Sequence, residues 1–166
     1  MGGALAAYRA ALPAGLLPAG DVRAKEGDAP CHVAARNNHA AALQHLAGQG
    51  AGLSADNAAG ATPLFRAAMC AQPEGAAADM TRLLLAAGAD ATAKNVWGRT
   101  ALHRAADDGP DDPSLAGLLL GAGCNPAAKA GGGKTALDYA KHRRKPRMAA
   151  LLEAAAANPE PTLAPF

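Results

Sequence analysis

Apolar residues return along this chain in two alternating words, each with the period of a helix. The first word is short. In Gly98-Arg99-Thr100-Ala101-Leu102-His103-Arg104-Ala105-Ala106, residues Leu102, Ala105 and Ala106 stand three and four apart and share one face. The word stands thirty-eight positions earlier as Gly60-Ala61-Thr62-Pro63-Leu64-Phe65-Arg66-Ala67-Ala68, and thirty-three before that as Gly27-Asp28-Ala29-Pro30-Cys31-His32-Val33-Ala34-Ala35. Thirty-five positions after the first it returns as Gly133-Lys134-Thr135-Ala136-Leu137-Asp138-Tyr139-Ala140. The second word is bulkier: Leu46 before Gly50, Met80 and Leu83 to Leu85 before Gly88, Leu115 and Leu118 to Leu120 before Gly123. The fourth copy stops at Leu151-Leu152. The pattern predicts a short helix with a narrow apolar stripe, then a bulkier one, repeated along the chain. Thr62 is placed to accept from an orphaned amide of the first turn, and Pro63 fits the first helical position, where no donor is missed. Gly88 and Gly123 suit the left-handed residue that ends a helix.

Both words, in this order, resemble the ankyrin repeat, whose unit of about 33 residues carries a Thr-Pro-Leu-His-x-Ala core. The resemblance covers residues 24 to 155 and divides them into units at 24–56, 57–94, 95–129 and 130–155. Departures are Ala29 for Thr, Phe65 and Asp138 for His, and Ala101 and Ala136 for Pro. The resemblance implies an all-α, ankyrin-type α-solenoid of helix-turn-helix repeats joined by short β-turn hairpins. It also implies a non-catalytic protein–protein interaction scaffold or adaptor, binding a partner protein through hairpin tips and the concave inner-helix face.

In that pattern the residues flanking the turn glycine, and the two after the Ala-Ala of the first helix, need not serve the core. The candidate partner-binding residues are therefore Val96, Trp97, Arg99, Asp107 and Asp108 in the third unit, Met69 and Cys70 in the second, Arg36 and Asn37 in the first, and Lys134, Lys141 and His142 in the last. Lys25, Glu26, Asp28, Ala58, Ala59, Ala61, Gly131 and Gly132 occupy the same variable positions. Trp97 leads the set: it is the chain's one tryptophan, at a turn tip the pattern does not require to be apolar. The competing reading folds its ring back over Ala61 or Lys134 as a cover for the stack.

The ends are read separately. Leu16-Leu17-Pro18-Ala19-Gly20 resembles the close of a worn unit, so residues 1–23 are expected to cap the array. Ala6 stands where an acylation signal wants Ser or Thr, and Arg9, Pro13 and Pro18 break any export signal. Residues 156–166 are proline-rich and expected to be disordered.

Composition narrows the chemistry. Half of the residues are hydrophobic and 3% aromatic, so the core must be Ala and Leu. A net charge of +2 is too mild to imply nucleic acid, and no apolar run reaches membrane-spanning length. Three cysteines at wide spacing favour a reducing compartment over disulfides or zinc. A cytoplasmic monomer is expected; the run Lys141-His142-Arg143-Arg144-Lys145-Pro146-Arg147 leaves a nuclear location open, although a solvated link between helices is the plainer reading. Gly131-Gly132-Gly133-Lys134-Thr135 lacks the earlier glycine and preceding strand of a phosphate loop and falls where the repeat needs a turn. His32 and His103 have no ligand partner at metal spacing and are expected to tie turn to helix. The acidic group Asp107, Asp108, Asp111 and Asp112 lacks calcium-loop spacing. Ser54 and Ser114 sit in no nucleophile motif. No cofactor, metal or catalytic set is expected; the alternative is an enzyme, or an enzyme's regulatory subunit, whose site one sequence does not display.

Overall fold

The computed structural model describes residues 27–49, 53–70 and 75–157. The expected cap at 1–23, Lys25 and Glu26, most of the insertion after Cys70 and the tail from 158 onward lie outside the described residues. Among the described residues the chain is helical, with no strand. Four helix pairs follow one another: α1 (Pro30–Arg36) with α2 (Ala40–Gly48), α3 (Pro63–Ala67) with α4 (Ala76–Ala86), α5 (Ala101–Asp108) with α6 (Pro113–Gly121), and α7 (Ala136–His142) with α8 (Pro146–Ala157).

Local chemistry sets the helix ends. Thr62 Oγ1 accepts from the Phe65 amide at 3.2 Å with Pro63 in the first turn, and Asp112 starts α6 by accepting from the Ser114 amide at 2.8 Å. Ala29 has no hydroxyl to offer α1, and the Ala29 amide is taken instead by His32 Nδ1 at 3.1 Å. At the other end, Gly88 and Gly123 adopt φ of +85° and +95°. Their left-handed turn lets the Ala89 and Cys124 amides reach back to Leu84 O and Leu119 O, both at 3.0 Å.

The short helices lie side by side, α1 on α3, α3 on α5, α5 on α7, while α4 packs on α6 and α6 on α8 behind them. Alanine makes the close spacing possible. Ala34, Ala35, Ala67, Ala68, Ala105, Ala106 and Ala140 are fully buried between neighbouring short helices, and Leu43, Leu64, Met80, Leu84, Leu102, Leu115, Leu119, Met148 and Leu152 fill the layer behind. Burying each of those large side chains is worth about 1.5–3 kcal/mol, and no unit can bury its stripe without the next.

Polar struts repeat with the units. His32 Nε2 lies 2.8 Å from Ala61 O, and His103 Nε2 lies 3.0 Å from Ala128 O. A carbonyl only accepts, so the ring proton sits on Nε2 and Nδ1 is left as acceptor for the Ala29 and Thr100 amides, and for the Thr100 hydroxyl at 2.9 Å. Phe65 occupies the equivalent place in the second unit and has no such strut to give. In the fourth, Asp138 accepts from the Thr135 amide and hydroxyl, both at 2.8 Å, closing its own helix start instead. The thiols also bridge units: Cys70 Sγ donates to Arg36 O and Cys124 Sγ to Ala91 O, both at 2.9 Å. Burial pushes all three thiols up, Cys124 to about 12, so they are neutral packing groups.

Candidate partner-binding cleft

The hairpin tips are built by side-chain carbonyls. Asn57 Oδ1 accepts from the Ala59 and Ala61 amides, and Asn95 Oδ1 from the Trp97 and Arg99 amides, at 2.9 to 3.1 Å. Each turn then closes on itself, Asn57 N to Ala61 O, Asn95 N to Arg99 O and Ala130 N to Lys134 O. Successive tips bond directly: Val96 N donates to Ala59 O at 3.1 Å and Gly131 N to Trp97 O at 2.7 Å. A Cβ on Gly131 would stand 3.0 Å from that Trp97 oxygen, so a larger residue there would press the two tips apart by a few tenths of an ångström.

This ladder fixes the backbone of Val96 and Trp97 while leaving their side chains outside. They are the large hydrophobic side chains exposed among the described residues, at 66% and 56%. The indole stands at the edge of a cleft of about 450 Å³. Its floor and walls come from Ala59, Ala61, Phe65 and Arg66 of the second unit, Asn95, Arg99 and Arg104 of the third, and Gly131 and Tyr139 of the fourth.

Acidic residues hold the arginines in place. Asp107 accepts from Arg99 Nη2 at 2.5 Å and from Arg143 Nε at 2.6 Å. Burial alone would raise the Asp107 carboxyl, but the bonds and charges of Arg143 and Arg99 outweigh it and hold the carboxyl below its usual value. Asp108 pairs with Arg104 at 2.5 Å and with Arg143 at 3.3 Å. Aromatic faces back the same groups: Arg99 Cζ lies 4.7 Å from the Tyr139 ring centre and Arg104 Cζ 5.6 Å from that of Phe65. Arg104 also reaches Met69 Sδ at 3.3 Å, and Lys134 Nζ stands 5.9 Å from the Tyr139 ring centre.

Of the expected residues the structure places Trp97 and Arg99 in the lining of the cleft; Asp107, Asp108, Met69 and Lys134 stand behind it against Arg99, Arg104 and Tyr139, and Val96 is beside it on the same tip. Arg36, Asn37, Lys141 and His142 do not line it. Asn37 Nδ2 caps α1 by donating to Val33 O at 2.8 Å, and Lys141 pairs with Glu153 at 2.7 Å on the surface of the fourth unit. Two residues expected on the partner-facing side turn into the stack instead. Cys70 is buried because its thiol finds the carbonyls of α1, and Asp28 is fully buried because it accepts from Asn57 Nδ2 at 2.7 Å and from Arg66 Nε and Nη2 at 3.1 and 3.0 Å. Two members of the basic run reach across to the third unit: Arg143 braces the aspartates, and Lys145 Nζ donates to Ala105 O and Asp107 O at 3.0 and 2.9 Å.

Sequence reasoning missed Arg66, Arg104, Tyr139 and Phe65. The signal was available: Arg66, Arg104 and Tyr139 share the position just before the final alanines of the first word, and a side chain there lies beside the buried stripe rather than within it.

Stacked helix pairs with a hydrogen-bonded row of turns define an α-solenoid, a scaffold in which each repeat contacts its neighbours. The family model of the ankyrin repeat matches residues 59–96 and 97–130, so these two adjacent segments are ankyrin repeats. The matched segments carry every residue that lines the cleft except Gly131 and Tyr139. No curated protein sequence matches the chain. Ankyrin repeats are in general protein-interaction modules and typically not catalytic, and no helix among the described residues is long and apolar enough to cross a membrane.

Proposed function

We infer that this chain is a non-catalytic interaction scaffold that binds a partner protein at the tip and cleft organised by Trp97. The observation that carries this reading is the exposure of Val96 and Trp97, two adjacent large apolar side chains on a backbone pinned from both sides by neighbouring turns. Such exposure disfavours the free protein in water and is recovered when a partner covers it. Tryptophan and arginine also dominate interface energies, and here Trp97 and Arg99 stand two residues apart on one tip. The remaining candidates, Arg36, Asn37, Lys141 and His142, form the flanks of the same interaction face, with the scaffold acting as a monomer.

Affinity capture with the wild-type chain and with Trp97→Ala tests the reading. Loss of the captured partner, at an unchanged melting temperature and with about 2 kcal/mol or more of binding removed, is the expected result. A lowered melting temperature with unchanged capture would make Trp97 a cover for the stack and overturn it.

A further inference from the structure

Arg66, Arg99 and Arg104 line the cleft, and among the described residues no Asp or Glu does. The carboxylates that balance them stand behind: Asp28 holds Arg66, Asp107 holds Arg99 together with Arg143, and Asp108 holds Arg104 together with Arg143. Arg99 and Arg104 are mostly buried, and the Nε–H of each meets no acceptor among the described residues although it is shielded from water. The rings of Tyr139 and Phe65 lie against these two side chains and offer π faces but no lone pair in the guanidinium plane. The surface of the cleft is therefore guanidinium edges and π faces, with the balancing carboxylates behind it. A cation meets only donors there, and a neutral apolar group covers the outward guanidinium edges without hydrogen-bonding them.

We propose that the cleft takes the carboxylate of an aspartate or glutamate from an extended segment of the partner protein, with an apolar neighbour of that residue resting on Trp97 and Val96. This rests on the interaction reading above and specifies its chemistry. A cleft of about 450 Å³ admits a side chain and its neighbours rather than a folded element. Carboxylate suits it better than phosphate. Arg99 and Arg104 each already share one edge with an aspartate, so their outward donors fit a singly charged, two-oxygen acceptor, whereas a phosphate group brings more charge towards Asp107 and Asp108. Lys134 beside Tyr139 adds a positive rim that steers an acidic segment inward.

The sole tryptophan reports on the cleft, so binding is read by its fluorescence. A library of random linear peptides is panned on the purified chain, and a selected peptide is titrated beside its copy with the key carboxylate changed to the amide. Selected peptides should share an acidic residue at one position next to an apolar one, and the amide copy should bind at least about tenfold more weakly. In Arg104→Gln the acid and amide peptides should bind alike. Selected peptides without a fixed acidic position, or an amide copy that binds equally, overturn the carboxylate assignment and leave the interaction module standing. Inorganic phosphate shifting the fluorescence at lower concentration than the acidic peptide overturns it in favour of a phosphate ligand. Failure to select any peptide, with capture unchanged in Trp97→Ala, overturns both.

Discussion

The Asp28 carboxylate is fully buried in the seam between the first and second units, and it joins Asn57 of one turn to Arg66 of α3. A buried ion pair adds little over a well-packed apolar pair, yet removing one partner strands the other in a poor dielectric. Asp28→Ala is expected to cost about 3 kcal/mol, measured by denaturant unfolding. A change no larger than that of an exposed carboxylate such as Asp79 would show that Arg66 is satisfied elsewhere. Nothing in the sequence marks Asp28 as internal, because the residue after the turn glycine is exposed as Lys134 and half-buried as Arg99 in equivalent units. Its burial follows from an arginine thirty-eight positions away, a pairing no local pattern encodes.

Three histidines give a second prediction at this scale. Burial lowers the pKa of His32, His39 and His103, so the folded chain keeps them neutral. An unfolded imidazole titrates near about 6.5. Below that pH the unfolded chain binds protons that the folded one refuses; the stabilisation is fully present above about 6.5 and is lost as pH falls towards the lower folded values. The melting temperature should fall between about pH 7 and pH 5.5, and it should fall less in His103→Gln. A flat profile over that range would contradict the burial of neutral rings.

At the scale of the element, the helix pairs were legible because each start and stop has a local cause: Thr62 and Pro63 begin α3, and Gly88 and Gly123 end α4 and α6. The cleft was only half legible. Its tip residues stand out by type, whereas Arg66, Arg104 and Tyr139 are brought together by the stacking of helices that are far apart in sequence. Phe65 shows both sides of this. In the sequence it is a lapse from the motif; in the structure it removes the imidazole strut at the joint where α3 meets α5, and its ring becomes the cleft wall under Arg104. Phe65→His should restore the strut and raise the melting temperature by a few degrees, for about 1 kcal/mol of new hydrogen bonding. Peptide affinity should fall in the same variant, since Arg104 loses its ring. Improved affinity together with improved stability would separate the two roles assigned to this position.

For the whole molecule, that joint matters beyond its own contacts. The first unit sends His32 across to Ala61 of the second, and the third and fourth are tied by Arg143 and Lys145, while the second and third meet on the inner side through Phe65, Arg104 and the tip bond from Val96 to Ala59. Among the described residues that joint carries the fewest polar cross-links, those of Val96, Arg104 and Cys124, and the cleft spans it together with the joint to the fourth unit. Flexing the scaffold and opening the cleft are then one coordinate. A ligand wedged between Arg99 and Arg66 selects a curvature, and by reciprocity anything that straightens or bends the chain from its ends retunes the grip on that ligand. The solenoid would act as a spring balance, registering at one joint a load applied at either end.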